Sequence, residues 1–184
     1  MPNPFEAIFN MLKISFDSTN EPKSPLHVIE VGDCWKYLTL VEEFIRYEEI
    51  GINTTTDDEV KEMLTDLIKI CESHVKRLST FMKKEGIPLP DVTSSKPNSD
   101  PYGVPLGVKF TDEEITNGAA FKLVTCSQGC AKGQADAVRN DVGIIWTKFF
   151  LEWVMFGATL KTLMRKRGWL KVPPYYYPPG YPHK

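Results

Sequence analysis

Two long stripes of apolar residues in this chain have a spacing that alternates between four and three residues. One stripe lies between residues 60 and 81, and the other lies between residues 142 and 163. Residues at this spacing share one face of an α-helix, and a strand could not use them. The chain is therefore predicted to be a bundle of long helices. The stripes consist of Val60, Leu64, Leu67, Cys71, His74, Leu78 and Phe81, and of Val142, Trp146, Phe149, Trp153, Phe156, Leu160 and Leu163.

Start and stop signals fix where these helices begin and end. The segments Thr56–Glu59 and Thr111–Glu114 have the sequence of capping boxes, in which a Thr and a Glu satisfy the first free amides of a helix. Basic last turns followed by Gly86 and Gly168, with prolines just beyond, are typical helix ends. The predicted helices cover about residues 28–51, 57–85, 112–137 and 141–167.

The link between the second and third predicted helices indicates the topology. It runs from Gly86 to Phe110 and is rich in Pro, Ser and Asn. A helix of about 28 residues is about 42 Å long, and a link of this length can cross that distance. The second and third helices would then be parallel, as in ferritin-like four-helix bundles. The predicted fold is an all-α, ferritin-like four-helix bundle over residues 25–168.

Segments on either side of the bundle have their own patterns. In residues 1–24, a short amphipathic helix is expected to follow Asn3-Pro4 and to dock on the bundle through Phe5, Ile8, Phe9 and Leu12. Residues 169–184 form a tail rich in Pro and Tyr, expected to be extended or polyproline-like. The tail either lies along the bundle and covers apolar surface, or projects as an adhesive or cross-linkable segment.

Charge and composition exclude several classes of protein. A net charge of −2 argues against a general affinity for nucleic acid. No uninterrupted apolar stretch approaches the length of a transmembrane helix, and the N-terminus lacks the pattern of a signal peptide. The four cysteines all fall within predicted helices and form no CxxC pair, which favours reduced, buried thiols in a cytosolic protein.

Landmarks between the helices resemble a family of uncharacterised ferritin-like bundles from spore-forming bacteria, distantly related to spore coat protein F. The matching residues are Leu26, Glu30 and Trp35, the segments Gly86–Pro90 and Val104–Gly107, and Gly168-Trp169-Leu170 with Pro173-Pro174. The resemblance implies a four-helix fold and a link to sporulation or the spore coat, and hence protein partners or self-association. It implies no established reaction and no catalytic residues.

His74 is the sharpest candidate for chemistry, because it occupies a core position of the second helix. The di-iron sites of ferritin-like proteins use Glu-x-x-His on two helices, but Cys71 stands three residues before His74 and Met155 three after Glu152. A smaller site remains a hypothesis, in which five side chains meet at mid-bundle and bind zinc or, less suitably, iron. Its candidate ligands are His74, Glu42, Glu152, Cys71 and Cys126.

Two alternatives compete with a metal site. His74 can be a core histidine satisfied by one core Glu, with the cysteines acting as small apolar residues. Cys71 and His74 can also act as a catalytic pair, although no orienting third group is evident. His27 and Glu30 also have metal-ligand spacing, but a capping role for Glu30 at the start of the first helix is favoured. The leading prediction is a structural, spore-associated protein, with a metal-binding or oxidoreductase bundle as the alternative.

Overall fold

A computed structural model describes residues 23–180 of the chain. This part contains four long helices, two short 3-10 turns (Pro101–Gly103 and Leu106–Val108) and no strand. Each helix begins and ends within three residues of its predicted position. The helices are α1, Val28–Thr54; α2, Asp58–Lys84; α3, Asp112–Asp136; and α4, Asn140–Arg167.

Contacts at the two ends of the bundle establish its topology. At one end, the Thr55 hydroxyl after α1 lies 2.5 Å from a carboxylate oxygen of Asp112 in the first turn of α3. At the other end, Arg139 before α4 bonds to Glu85, the C-cap of α2. The C-termini of α2 and α3 therefore lie at the same end, and these helices are parallel. This confirms the all-α, ferritin-like four-helix bundle predicted from the sequence.

The crossover between α2 and α3 runs back along the outside of α1. The Thr93 hydroxyl donates to Glu43, and the backbone amide of Lys96 donates to Glu49. Asn53 accepts from the amide of Ser99 and donates to the carbonyl oxygen of Pro97. These bonds hold residues 93–99 of the crossover against the second half of α1.

The helix ends follow local sequence, with one correction. His27 and Glu30 form a capping box at the start of α1, so Glu30 has the predicted capping role. The capping box of Thr111 and Glu114 is also present. The expected box starting at Thr56 is wrong: Asp57 is the N-cap of α2, and its side chain accepts from the amide of Val60 at 3.1 Å. A carboxylate one residue later therefore caps the helix by accepting from a free amide of its first turn.

Small residues in α3 allow α4 to approach closely. A Cβ atom built on Gly133 would lie 2.6–2.8 Å from three indole atoms of Trp146. A Cβ atom built on Gly157 of α4 would lie 3.3 Å from the side chain of Leu123 of α3. The core between the helix pairs is therefore dense around the aromatic residues of α4.

Helix α4 is also long and apolar enough to cross a membrane, judged by its length and composition alone. The search of the sequence for an uninterrupted apolar run did not detect this, because charged residues interrupt the helix. In the bundle, Trp146, Phe149 and Trp153 are buried against the other helices, as in the core helix of a globular domain.

Both segments outside the bundle are described only in part. The predicted N-terminal helix lies outside the described residues, which begin at Lys23. The start of the tail contacts α3, since Asn117 donates to the carbonyl oxygen of Trp169 and Lys171 pairs with Glu113. Residues 171–180 are exposed and include no helix or strand.

Candidate functional site

His74 lies at the centre of the bundle with no exposed surface. Helix α2 points it toward α1 and α4, as its position in the apolar stripe requires. Its ring stacks on Phe149 with 3.9 Å between ring centroids and meets the edge of Trp153 at 5.1 Å. A polar side chain in such surroundings must have hydrogen-bond partners, because an unpaired one would be costly.

Both imidazole nitrogens of His74 have such a partner. The Tyr37 hydroxyl on α1 lies 2.8 Å from Nδ1, and Oε2 of Glu152 on α4 lies 2.7 Å from Nε2. The Tyr37 oxygen also accepts a hydrogen bond from the indole N–H of Trp153 at 2.8 Å. The network thus joins three helices at one level of the bundle.

The protonation state of His74 follows from its burial. Desolvation lowers its pKa from 6.5 to about 4, and the hydrogen bond to Glu152 offsets only part of this effect. The ring is therefore neutral near pH 7, and its contact with Glu152 is a hydrogen bond and not an ion pair. Since a carboxylate can only accept, Nε2 carries the proton, and Nδ1 accepts from the Tyr37 hydroxyl.

Glu152 remains ionised at the edge of this network. Partial burial acts to raise its pKa, but hydrogen bonds from Arg77 and His74 lower it below the ordinary value. Arg77 makes two bonds of 2.8 Å to the two carboxylate oxygens, and its guanidinium also lies 4.5 Å from the ring centroid of Phe149. The negative charge is thus balanced at the point where the network meets solvent.

Cys71 and Cys126 belong to a second buried polar group, which is centred on Glu48. Lys122 of α3 pairs with Glu48 of α1 at 2.8 Å. Burial raises the pKa of each of the two thiols well above its ordinary value, and the charge of Glu48 acts to raise the pKa of both thiols further. Both therefore stay protonated and act as small apolar side chains, which does not favour a catalytic Cys–His pair.

Glu42 makes no described contact with His74. It lies on α1, and burial raises its pKa, an effect that Arg46 on the same helix partly offsets. Its Oε2 atom is buried and has no hydrogen-bond partner among the described residues. The position of Glu42 along α1 explains the separation: it lies five residues beyond Tyr37, or about 7 Å along the helix.

The five candidate ligands are therefore divided. His74 meets Glu152, whereas Cys71 and Cys126 lie near Glu48, and Glu42 belongs to neither group. Within residues 23–180, no group of three or more His, Cys, Asp or Glu side chains is arranged to hold a metal ion. The di-iron ligand pattern of ferritin-like proteins does not fit these residues. A zinc site stays a prediction from the sequence.

Sequence reasoning identified His74 and Glu152 but missed their neighbours Tyr37 and Arg77, and it missed Glu48 beside Cys71 and Cys126. Tyr37 lies three residues after Cys34, on the inner face of α1, and this helical spacing could have revealed it. Glu48 continues the same face beyond Ile45. Arg77 gave no such signal, because it lies on the solvent side of α2 and reaches Glu152 only through the packing of α2 beside α4.

Comparisons with known proteins agree with this architecture. Uncharacterized protein YvdQ of Bacillus subtilis (strain 168) is 27% identical over 157 residues, which cover 85% of this chain and 92% of YvdQ. The crystal structure of a "putative spore coat protein" from Bacillus halodurans C-125 superposes with a TM-score of 0.82 and 26% identity, covering 84% of this chain and 97% of that one.

A third comparison concerns the fold alone. A two-domain protein from Anabaena variabilis ATCC 29413, with DJ-1/ThiJ/PfpI-like and ferritin-like domains, superposes with a TM-score of 0.61 at 16% identity. The match covers 83% of this chain and 41% of that protein. It agrees with a ferritin-like fold, and the two Bacillus proteins confirm the predicted resemblance to a family of spore-forming bacteria. The model of the family described as "Protein of unknown function (DUF3231)" matches residues 15–181, and the chain therefore belongs to that family.

Proposed function

We propose that this protein is a structural component of the spore, associated with the coat, and that it acts through its surfaces. The observation that carries the proposal is the similarity to the Bacillus halodurans protein, which extends over nearly the whole of both chains. Similarity of this extent concerns the complete bundle and not one shared element.

The centre of the bundle supports a structural role. The hydrogen bonds of His74 leave neither ring nitrogen available, and Arg77 neutralises Glu152. A buried polar network whose members are all paired favours one packing of the helices over alternatives. In this role His74, Tyr37 and Glu152 fix how α1, α2 and α4 pack and need no substrate.

One exposed apolar surface is suited to assembly. We call it the α3–α4 outer patch, and it consists of Phe121, Val124, Leu151 and Val154. Because Leu123 of α3 faces Gly157 of α4, Val124 and Val154 lie at nearby levels, with Phe121 and Leu151 on either side of them. Phe121 is 76% exposed, and exposed apolar groups of this kind commonly mark protein contacts.

The tail offers a second contact surface. The side chains of Tyr175 and Tyr176 are 76% and 83% exposed. Tyrosine is common at protein interfaces because its ring is large and its hydroxyl can bond. In this proposal the tail joins the bundle to neighbouring coat proteins, and its removal leaves the bundle folded.

Spore fractionation tests this function. A tagged chain is expressed in sporulating Bacillus subtilis, and purified spores are separated into coat extract and decoated spores. We expect the protein in the coat extract, with loss of the Phe121→Asp variant and of a chain ending at residue 172. Thr65→Asp, which adds the same charge at an exposed position of α2, is the matched control. Recovery of the unaltered chain only from the mother-cell lysate or from decoated spores would contradict the proposal.

A metal-binding bundle is the second candidate. The observation that favours it is that Oε2 of Glu42 and Oε2 of Glu48 are buried without hydrogen-bond partners among the described residues. In this alternative His74, Glu152, Cys71 or Cys126 would supply further ligands after local rearrangement, and zinc would suit their mixture of N, O and S atoms. Elemental analysis of the untagged protein for zinc, iron and manganese, beside His74→Ala, tests it. Stoichiometric metal that is lost in the variant would favour this candidate over the structural one.

A further inference from the structure

A groove of about 1030 Å³ runs between α2 and α4. It occupies the half of the bundle that holds the start of α2 and the end of α4. These two helices contact each other less extensively than α1 with α2 or α3 with α4, and Met155 on this side of α4 is 71% exposed. The larger apolar residues lining the groove are Met63, Ile70, Met155, Phe156, Leu160 and Leu163.

The first described residues lie at one end of the bundle, on the same side as the groove. Lys23 pairs with Asp141 in the first turn of α4 at 2.8 Å. The carbonyl oxygen of Ser24 accepts from Arg139, which also bonds to Glu85 at the end of α2. Residues 1–22 therefore connect to the bundle between the last turn of α2 and the first turn of α4.

The preceding residues are long enough to reach the groove. Its nearest lining residues, Ile70 and Glu152, lie about 20 Å from that end of the bundle at 1.5 Å per helical residue. Residues 13–22 span up to about 33 Å when extended. Residues 3–12 can therefore lie over the groove without any change in the described part of the chain.

The pattern of these residues matches the groove in length and polarity. Phe5, Ile8, Phe9 and Leu12 have the spacing of one helical face. A helix over residues 3–13 would be about 16 Å long, and the groove extends over a similar length of α2, from Glu59 to Ile70. A short amphipathic helix in an apolar groove is a common way for a protein to bury such a face.

We propose that residues 3–13 form a helix that occupies the α2–α4 groove, with Phe5, Ile8, Phe9 and Leu12 against its apolar floor. The segment completes the sparse contact between α2 and α4 and covers Met155, which is otherwise 71% exposed. This inference does not depend on the spore-coat proposal, since it concerns the packing of the isolated chain.

Hydrogen exchange of the full-length protein tests the position of the segment. We expect Phe9→Asp to cause a loss of protection in residues 59–70 and 152–166, with α1 and α3 unchanged. Asn10→Asp places the same charge next to Phe9 but on the other face of the predicted helix, and it should leave protection unchanged. Equal protection in Phe9→Asp and the unaltered protein would overturn the proposal.

Disulfide cross-linking identifies the occupant. Phe9→Cys combined with Met155→Cys should give a disulfide within one chain, because the four native cysteines are buried and do not compete. Val154 is a neighbouring exposed residue that does not line the groove, so Phe9→Cys with Val154→Cys should not cross-link. Cross-linked dimers without the intramolecular product would mean that a second copy fills the groove, and equal cross-linking of both pairs would mean that the segment is not docked. Either result would overturn the proposal.

Discussion

The Tyr37 hydroxyl and Nδ1 of His74 lie 2.8 Å apart in the centre of the bundle, and their hydrogen bond links α1 to α2. The same hydroxyl accepts from the indole N–H of Trp153, which extends the connection to α4. One oxygen atom therefore satisfies a buried donor and a buried acceptor from two other helices. Its removal leaves both of them without a partner.

Tyr37→Phe is expected to lower the free energy of unfolding by about 2–4 kcal/mol, since two buried polar groups lose their partner at about 1–3 kcal/mol each. Chemical denaturation measures this change. Tyr175→Phe removes the same hydroxyl from an exposed ring in the tail and should leave stability unchanged. A Tyr37→Phe protein as stable as the control would show that the network contributes little to packing.

The depressed pKa of His74 predicts a specific dependence of stability on pH. The pKa is about 4 in the folded protein and 6.5 in the unfolded chain, so between these values the unfolded chain binds more protons. Stability from this group is fully present above pH 6.5 and is lost as the pH falls toward 4. Between these pH values the free energy of unfolding should fall by up to about 1.4 kcal/mol per pH unit, which is about a tenfold change in the folding equilibrium constant.

Unfolding free energies measured between pH 7 and 4.5 in His74→Leu and in the unaltered protein isolate this effect, because the pKa of Glu152 is lowered from 4.5 and it titrates mainly below that range. His74→Leu should lack most of this dependence of the unfolding free energy on pH. His27→Asn removes the other described histidine, keeps a good N-cap residue for α1, and should retain the slope. A slope that persists in His74→Leu would assign the acid sensitivity to other groups.

Sequence reasoning predicted the helices well, because their limits depend on local signals such as Thr111, Gly86 and Gly168. It was less accurate at the end of α1, which was predicted near residue 51 and lies at Thr54. In the structure Gly51 is inside the helix, and a Cβ atom there would lie 2.9 Å from Leu64. That glycine serves close packing of α1 on α2, a reason that depends on the neighbouring helix and is not visible in the local sequence.

The candidate site was predictable only in part for a related reason. The level of the bundle at which α1 meets His74 brings Tyr37 to the ring. Glu42 was favoured for its chemistry, although it lies more than one helical turn away along α1. Residue type alone therefore favoured the carboxylate of Glu42, whereas the packing of the helices places the phenol of Tyr37 beside His74.

The contact between Gly133 and Trp146 predicts opposite outcomes for two similar substitutions in α3. Gly133→Ala places a methyl group 2.6–2.8 Å from the indole and should lower the free energy of unfolding by about 1–3 kcal/mol. Gly118→Ala, in the same helix, meets nothing within 4 Å and should raise it by up to about 1 kcal/mol. Thermal or chemical denaturation of the two variants gives the comparison. Similar stability in both would show that α4 shifts freely away from α3.

Glu30 connects the start of α1 to the turn between α3 and α4, and this connection predicts that it matters more than an ordinary capping residue. Its Oε1 atom accepts from the backbone amides of Val138 and Arg139, both at 2.9 Å, while Oε2 accepts from the amide of His27. Glu30→Ala should therefore lower the free energy of unfolding by about 2–4 kcal/mol, because buried amides of the α3–α4 turn lose their acceptor.

Glu114 is the matched control for Glu30, since it occupies the same position of a capping box at the start of α3 but is exposed and bonds only to Thr111. Glu114→Ala should cost about 0.5–1 kcal/mol, the ordinary contribution of a cap. Hydrogen exchange provides a second readout, because the amides of Val138 and Arg139 should lose protection in Glu30→Ala and keep it in Glu114→Ala. Equal costs for the two variants, with both amides still protected, would mean that the turn finds another acceptor and that Glu30 acts only as a local cap.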